Sequence, residues 1–222
     1  MIYDVIIVGG SYSGISAGLQ LARARRKLLI IDAGQRRNRF ANSSHGFLGQ
    51  DGRDPGAIAD EARAQLLAYP TVEWLSQPAV EATRGDDGYV ITFANGEQFT
   101  ARRLILATGV VDELPDIPGL AERWGRRVFH CPYCHGYELD GGQIGVLAAS
   151  PMAIHHALML PDWGPTTLLL NEVFEPDAEQ LAALNADPRM PTFARAFRGG
   201  YPPASTCKAV VALAGLDSGA IT

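Results

Sequence analysis

The sequence predicts an α/β protein made of two units, each with a helix between two parallel strands, and a small β meander attached to the first. Three observations support this prediction. Apolar, β-branched runs of strand length recur along the chain, helical patterns separate them in pairs, and short strand-like pieces with turn residues follow residue 71. Each unit is therefore expected to have three layers (ββα) and to be incomplete at its C-terminal side.

The first unit begins with an apolar run at residues 3–8, which has the length of a strand buried on both faces. The run leads into the glycine-rich segment 9–14, a helix and a second apolar strand that ends at Asp32, eighteen residues after Gly14. This order is Rossmann-like: Gly9 permits a tight turn, Gly14 permits close helix packing, and Asp32 accepts from ribose hydroxyls. A pyrophosphate would face the N-terminus of the helix. The predicted ligand is the ADP half of a dinucleotide.

Ser11 departs from the usual glycine at the middle position of this turn. Its side chain limits how near the backbone can approach a phosphate. A Rossmann-like turn that binds no nucleotide therefore stays open as an alternative.

A polar segment follows at residues 34–52, and its length is typical of a loop that covers a ligand. Asn38 and His45 are its candidate site residues, whereas Arg36 and Arg39 are expected on a solvated surface. The next helix begins at Asp54-Pro55, since an N-cap followed by proline is a common helix start, and ends at Tyr69-Pro70. It places Ile58, Ala62 and Leu66 on one face.

The period then changes to short strands predicted at residues 72–75, 80–83, 89–93 and 98–101, which indicate a β meander. A further strand at 103–109 is expected to be buried. It ends in small residues, where a backbone could approach a flat ring. Prolines at 115 and 118 mark a linker.

Cys131-Pro132-Tyr133-Cys134 is the segment with the clearest chemistry, because two cysteines two residues apart can close into a disulfide and reopen. Pro132 fixes its own φ, and a helix starting here would favour a reactive thiolate through its first-turn amides. A CxxC pair in the cytoplasm is more often catalytic than structural.

These residues also match three other kinds of site in part. Cys131, Cys134 and His135 match the haem c attachment signature, but the chain shows no export signal. Zinc would need four ligands, which this crowded segment cannot wrap well, so no metal is predicted. In a glutaredoxin the motif follows the first strand, whereas about 130 residues precede it here.

Composition excludes several classes of partner. The chain has 222 residues, 47% apolar content and a net charge of −5, with Lys27 and Lys208 as its lysines. No basic stripe is present for nucleic acid or anionic lipid, and no run is long enough to span a membrane. The absence of a signal layout at the start predicts a cytoplasmic protein.

Several features together resemble the low-molecular-weight thioredoxin reductase branch of the flavoprotein disulfide reductases. They are the turn 8–14, Asp32, the strand end at Ala107-Thr108-Gly109, Ile117-Pro118-Gly119 and the CxxC pair, and the resemblance covers about residues 1–185. It implies a homodimer that binds FAD, with Cys131 exchanging with substrate and Cys134 contacting the flavin. His135, beside Cys134 and with an ordinary pKa of about 6.5, is expected to hold or deliver the proton. The implied cofactor-binding residues are Gly9, Gly10, Ser11, Tyr12, Ser13, Gly14, Asp32, Ala33, Arg37, Asn38, His45, Gly46, Val80, Ala107, Thr108 and Gly109.

The second unit is expected to have strands at 143–148 and 166–170, a helix from Ser150-Pro151 and another at 176–184. In thioredoxin reductases this unit binds NADPH through a glycine-rich turn and later arginines. Here Pro151 removes an amide from the turn, and Glu172 would repel a 2′-phosphate. NADPH is therefore doubtful. His155 and His156 are expected to be packing or surface residues.

These departures, with His135 in place of the usual aspartate, resemble the FAD-dependent dithiol oxidases, which pass electrons from a dithiol to oxygen. The implied partner is a small dithiol or disulfide, or a thioredoxin-like protein. An NADPH-dependent thioredoxin reductase is the alternative.

The predicted domains are residues 1–114 for FAD, 115–186 for the redox pair, and an atypical tail at 187–222. The tail lacks the third strand and the closing Gly-Asp segment of the resembled family, which predicts truncation or a shifted reading frame past about Asp187. An inactive fragment is therefore a further alternative. Cys207 in the tail is interpreted as incidental.

Overall fold

A computed structural model describes residues 2–186 of the chain. These residues form two compact units, one of residues 2–39 and 53–111, the other of residues 40–52 and 112–186. The predicted domain limits at 114 and 186 stay a prediction, and the tail with Cys207 lies outside the described residues. Within residues 2–186, no helix has the length and apolar character needed to cross a membrane.

The first unit consists of a mixed sheet and helices. In chain order its elements are β1 (Ile2–Val8), α1 (Tyr12–Arg23), β2 (Leu28–Ile31), α2 (Pro55–Leu67), β3 (Val72–Leu75), β4 (Ala79–Gly85), β5 (Gly88–Phe93) and β6 (Gln98–Leu106). The strand order is β3-β2-β1-β6-β5-β4. β1 pairs in parallel with β2 and β6, and β2 pairs in parallel with β3. β4, β5 and β6 pair antiparallel as the meander.

Both faces of the parallel strands are covered, which explains the continuous apolar runs. Leu28 and Ile30 of β2 pack in one cluster with Ile15 of α1 and Leu66 of α2. The alternate residues of β2 pack in a second cluster with residues of β5 and β6, which are Ile91, Phe93 and Ala101. Helices, parallel strands and meander therefore form the predicted ββα layers, and the α/β fold class is confirmed.

Three details of the first unit differ from the prediction. The segment at 98–101 and the first part of the segment at 103–109 form one strand, β6, which pairs with β5 over residues 98–101 and with β1 over residues 100–106. β3 belongs to the parallel part of the sheet and not to the meander. The strand ends at Leu106, which is exposed, so the predicted buried strand to residue 109 is wrong.

A buried tyrosine on β1 bonds to a glutamate on β3, two strands away in the sheet. The Tyr3 hydroxyl donates to Glu73 Oε2 at 2.7 Å, and Lys27 Nζ lies 3.7 Å from Glu73 Oε1 and 4.9 Å from the centre of the Tyr3 ring. Burial, then the hydrogen bond to Glu73 and its charge, raise the pKa of Tyr3 from 10.0 to about 12. The folded state therefore holds this proton more tightly than the unfolded state does.

We expect Tyr3→Phe to lower the free energy of unfolding by about 1 kcal/mol at neutral pH, since one charge-assisted hydrogen bond is lost and Glu73 stays accessible to water. Because the pKa is raised on folding, the stabilisation is present below pH 10.0 and is lost as pH rises towards about 12. Urea unfolding of both proteins across that range measures the difference. A difference that widens with rising pH would contradict this account.

The second unit has two described strands and several short helices. Its elements are α3 (Leu120–Arg123), α4 (Pro132–His135), β7 (Ile144–Leu147), α5 (Ala153–Met159), β8 (Thr166–Leu169) and α6 (Ala178–Ala186), with 3-10 turns at Tyr137–Leu139 and Leu160–Asp162. β7 and β8 are parallel. Ile144 and Val146 of β7 are fully buried in a cluster with Ala157 of α5 and Leu184 of α6. The predicted second βαβ unit is therefore present.

The start of α5 differs from the prediction. Ser150 does not cap a helix beginning at Pro151, because Ser150 Oγ accepts from the Met152 amide within a local turn, and the helix begins at Ala153. His155 is exposed and His156 is partly buried. Burial lowers the pKa of His156.

Candidate functional site

The glycine-rich turn between β1 and α1 is closed by contacts that only glycine allows. Gly9 has φ +109°, and a Cβ there would overlap the carbonyl oxygen of Ala107. A Cβ on Gly14 would overlap the carbonyl oxygen of Gly9. The backbones of β1, the turn and the end of β6 therefore approach one another closely, which brings Gly9, Gly14 and Ala107 together as the sequence predicts.

Asp32 lies directly after β2 and contacts this turn. Its Oδ1 accepts from the Gly10 amide at 3.1 Å. The Trp74 ring lies so close that a Cβ on Gly10 would overlap it, and the Arg63 guanidinium lies 4.4 Å from the centre of that ring. Trp74 and Arg63 were not predicted as neighbours of the turn, because no local pattern connects them to it.

The start of α1 leaves its first-turn amides without a side-chain cap. Ser11 is the N-cap residue, with φ −101° and ψ −163°, and its side chain makes no capping hydrogen bond. The Tyr12 hydroxyl accepts from Asn38 Nδ2 and donates to the Pro55 carbonyl oxygen, each at 3.1 Å. Asn38, one of the predicted cofactor residues, therefore contacts the first residue of α1.

The other predicted cofactor residues of the first unit are less closely grouped. Arg37 is partly buried, whereas Ser13, Ala33, Thr108 and Gly109 are exposed. Val80 is 60% exposed on β4, which lies three strands from β1 in the sheet order. The structure does not bring Val80 to the glycine-rich turn.

The residues of the turn fit the ADP half of a dinucleotide. Uncapped amides at a helix start attract a phosphate, the glycines remove side chains from its path, and the Asp32 carboxylate stands where ribose hydroxyls bind in this fold. The Ser11 side chain makes no capping hydrogen bond to the helix, so it is available to a ligand. The individual binding roles stay predictions.

The two predicted redox cysteines lie at the start of α4 in the second unit. Their Sγ atoms are 2.8 Å apart as free thiols, and both residues are partly buried. Pro132 is buried at the first helical position, and its carbonyl accepts from the Gly136 amide at 2.6 Å. This tight turn holds the sulfurs within reach of each other, as a redox pair requires.

An aromatic surface adjoins the pair. Tyr133, between the cysteines, is 72% exposed and packs edge-on against Trp163 with ring centres 5.3 Å apart. Trp163 also lies against Gly136, where a Cβ would come within 2.6 Å of its ring. The turn is therefore supported from one side by a ring that the sequence did not indicate.

His135 is held on the other side by stacking. Its ring lies 4.1 Å from the Phe129 ring, centre to centre, at an angle of 24°. Burial lowers the pKa of His135 below its usual 6.5, the charge of Glu138 opposes this effect, and His45 adds to it. A lowered pKa keeps the imidazole neutral at neutral pH, so it can accept a proton.

His45 and Gly46, predicted as cofactor residues, belong to the same compact unit as the cysteines. His45 Nε2 lies 3.4 Å from Glu138 Oε1. Glu138 was not predicted as a site residue, although it follows the CxxC motif by only four positions.

In the turn after β7, several backbone amides are hydrogen-bonded within the turn, whereas the turn after β1 has no side-chain cap. Ala153 and Ile154 donate to the carbonyls of Ser150 and Pro151, and Met152 donates to Ser150 Oγ. Pro151 has no amide hydrogen. Three amides of this turn are therefore engaged locally and Pro151 has none, so the turn offers a second pyrophosphate fewer donors than a glycine-rich turn does and fits NADPH poorly.

The fold and the paired thiols define a class of disulfide-handling oxidoreductases, and comparison with known proteins gives the family. The profile of the pyridine nucleotide-disulphide oxidoreductase family matches residues 3–173. The chain belongs to this family, as its resemblance to thioredoxin reductases predicted.

Two individual relatives are also named as thioredoxin reductases. The chain is 38% identical to thioredoxin reductase tcpT of Claviceps purpurea over 164 residues, which are 70% of this chain and 51% of that protein. It is 36% identical to thioredoxin reductase sirT of Leptosphaeria maculans over 145 residues, 64% of this chain and 44% of that protein. The chain thus spans about half the length of these relatives.

Two solved structures are similar. The crystal structure of an oxidoreductase from Agrobacterium tumefaciens matches with a TM-score of 0.80 at 62% identity, covering 84% of this chain and 63% of that one. The crystal structure of HlmI matches with a TM-score of 0.77 at 39% identity, covering 83% and 59%.

Proposed function

We propose that this chain is an FAD-dependent thiol–disulfide oxidoreductase that oxidises small dithiols and passes the electrons to oxygen. In the overall reaction a dithiol loses two electrons and two protons and becomes a disulfide, and oxygen takes them up as hydrogen peroxide. The 2.8 Å separation of the Cys131 and Cys134 sulfurs is the observation that carries the proposal.

The cysteines would act by exchange. A substrate thiolate attacks the Cys131–Cys134 disulfide at Cys131, and Cys134 leaves as a thiolate. The second substrate thiolate then attacks the substrate sulfur that is bonded to Cys131. Cys131 leaves as a thiolate, the substrate is released as a disulfide, and both cysteines are reduced. The short separation of the two sulfurs favours formation of the Cys131–Cys134 disulfide, because the reacting atoms are already close to each other.

His135 supports the proton side of this exchange. Its neutral ring can take the proton that a substrate thiol gives up, and stacking on Phe129 fixes the plane of the ring. Cys131, Cys134 and His135 therefore stand as the proposed catalytic residues.

The cofactor would be held by the first unit. The turn residues Gly9, Gly10 and Gly14 would admit the pyrophosphate, and Asp32 would hold the adenosine ribose. When bound, FAD supplies a two-electron acceptor for a dithiol and a donor to oxygen. Substrate contact, a homodimer and a thioredoxin-like partner stay predictions from the resemblance.

Oxygen is favoured as the acceptor by the turn after β7. The amides of Met152, Ala153 and Ile154 are engaged within the chain. Glu172 after β8 is exposed, where a positive side chain would be needed for a 2′-phosphate. The names of tcpT and sirT favour the alternative, an NADPH-dependent thioredoxin reductase.

A steady-state assay separates the two. With purified, flavin-loaded protein and dithiothreitol, we expect oxygen uptake in proportion to enzyme and NADPH consumption at the background rate. Cys131→Ser serves as the control, since it should lose the uptake and keep the flavin. Rapid NADPH consumption would overturn the oxidase proposal, and a colourless protein that gains no flavin on incubation with FAD would favour the inactive fragment.

A further inference from the structure

The segment 40–52 is a structured part of the second unit, which also contains Cys131 and Cys134. Phe40 packs against Gly125, where a Cβ would overlap it. Within the segment, the Gly52 amide donates to the Ser44 carbonyl at 2.7 Å and the Gly46 amide to Asp51 Oδ1 at 2.8 Å. These bonds fold the loop back on itself, so His45 is presented from a defined backbone.

His45 lies between two carboxylates. Its Nε2 is 3.4 Å from Glu138 Oε1 and 2.9 Å from Ser43 Oγ, and its Nδ1 is 3.6 Å from Asp51 Oδ1. The His45 side chain is 22% exposed, against 44% for Glu138 and 71% for Asp51. The contact with Glu138 is thus the better shielded of the two, and the less weakened by water.

Glu138 contacts His45 and follows the CxxC motif by four positions. It lies in the 3-10 turn that follows α4, three residues after His135. The charges of Glu138 and His45 both act on His135, in opposite directions. Asp51 is a further titratable group in contact with His45. The two thiols lie on the same turn as His135, and His130 precedes that turn with its ring against Trp124.

We propose that His45 and Glu138 are positioning residues for the redox turn: their contact sets the charge that faces His135 and thereby the pH range in which the cysteine pair exchanges. The inference rests on the proposed function, because it gives His135 the proton in that exchange. It assigns to the 40–52 loop a role that does not depend on cofactor contact.

The two residues have opposed effects on His135. The Glu138 carboxylate attracts a proton to His135, whereas a protonated His45 both repels that proton and neutralises Glu138. Removing the charge of Glu138 should therefore make His135 harder to protonate, and removing His45 should make it easier. A purely structural contact predicts no such opposition, since loss of either partner would loosen the same turn.

The test is an NMR titration of the histidine ring protons in the full chain. The variants are Glu138→Gln and His45→Gln, with His135→Asn to assign the signal and Asp51→Asn as the matched control, which also contacts His45 but on its other nitrogen. The same proteins, in a Cys207→Ser background, are reacted with iodoacetamide across the same pH range.

We expect the His135 midpoint to fall in Glu138→Gln, to rise in His45→Gln, and to move least in Asp51→Asn. The pH profile of thiol alkylation should shift in the same directions. Midpoints that move the same way in both variants, or not at all, would overturn the inference. Because alkylation and titration need neither flavin nor oxygen, expected shifts in a protein that oxidises no dithiol would count against the proposed function and leave the charge coupling standing.

Discussion

Gly14→Ala is expected to remove most of the bound flavin from the purified chain. The new methyl group would overlap the Gly9 carbonyl oxygen, which is backbone and cannot turn aside as a side chain can. To remove this overlap, α1 must move away from β1, and the movement opens the turn that would hold the pyrophosphate. Overpacking of this kind costs about 1–3 kcal/mol, so we expect FAD affinity to fall roughly 10- to 100-fold.

Gly18→Ala is the matched control in the same helix. Its Cβ would lie 3.0 Å from Leu66 Cδ2, the flexible end of a side chain, and far from the turn along α1. Both substitutions gain the same helix propensity, about 1 kcal/mol. Flavin absorbance per protein after gel filtration, with titration of the apoprotein by FAD, measures the difference. Equal flavin retention in the two variants would show that the turn does not hold the cofactor.

Much of the first unit could be predicted because its signals are local. The limits of β2 and the position of Asp32 follow from four consecutive apolar residues that an acidic residue follows. All four apolar residues are buried. The glycines at 9 and 14 also stand where backbone overlap forbids a side chain. In each case the residue type reports its own environment.

The predictions failed where a neighbour distant in sequence decides the structure. β6 looked like two strands because β5 pairs only with its residues 98–101, whereas β1 pairs with it from residue 100 to residue 106, so its neighbours differ along its length. The start of α5 was placed too early because the Ser150 side chain bonds within a local turn. No pattern connects His45 with Glu138, since only the folded chain brings the loop to the redox turn.

The cysteine variants are expected to have the largest effect on activity. Loss of either thiol prevents the intramolecular disulfide, so Cys131→Ser and Cys134→Ser should each lower dithiol oxidation by about three orders of magnitude or more, to the background rate. Cys207→Ser is the control, because that residue has no partner motif in the sequence. It should keep the wild-type rate.

The thiol count gives a sharper result than the rate. When reduced protein in the Cys207→Ser background meets an aromatic disulfide such as Ellman's reagent, one cysteine thiolate attacks it, forms a mixed disulfide and releases one thiolate product. The second cysteine, with its sulfur 2.8 Å from the first, then displaces the second product and closes the Cys131–Cys134 disulfide. Two electrons pass to the reagent and two protons to solvent.

The pair should therefore release two products and retain no adduct, because the effective concentration of a neighbouring, aligned thiol reaches roughly 10⁵ M or more. Each single-cysteine variant should release one product and keep the adduct, which mass spectrometry detects. Adduct retained on the protein with both cysteines would mean that the sulfurs do not meet in solution. In that case α4 would hold two separate thiols, and the exchange chemistry proposed for them would fail.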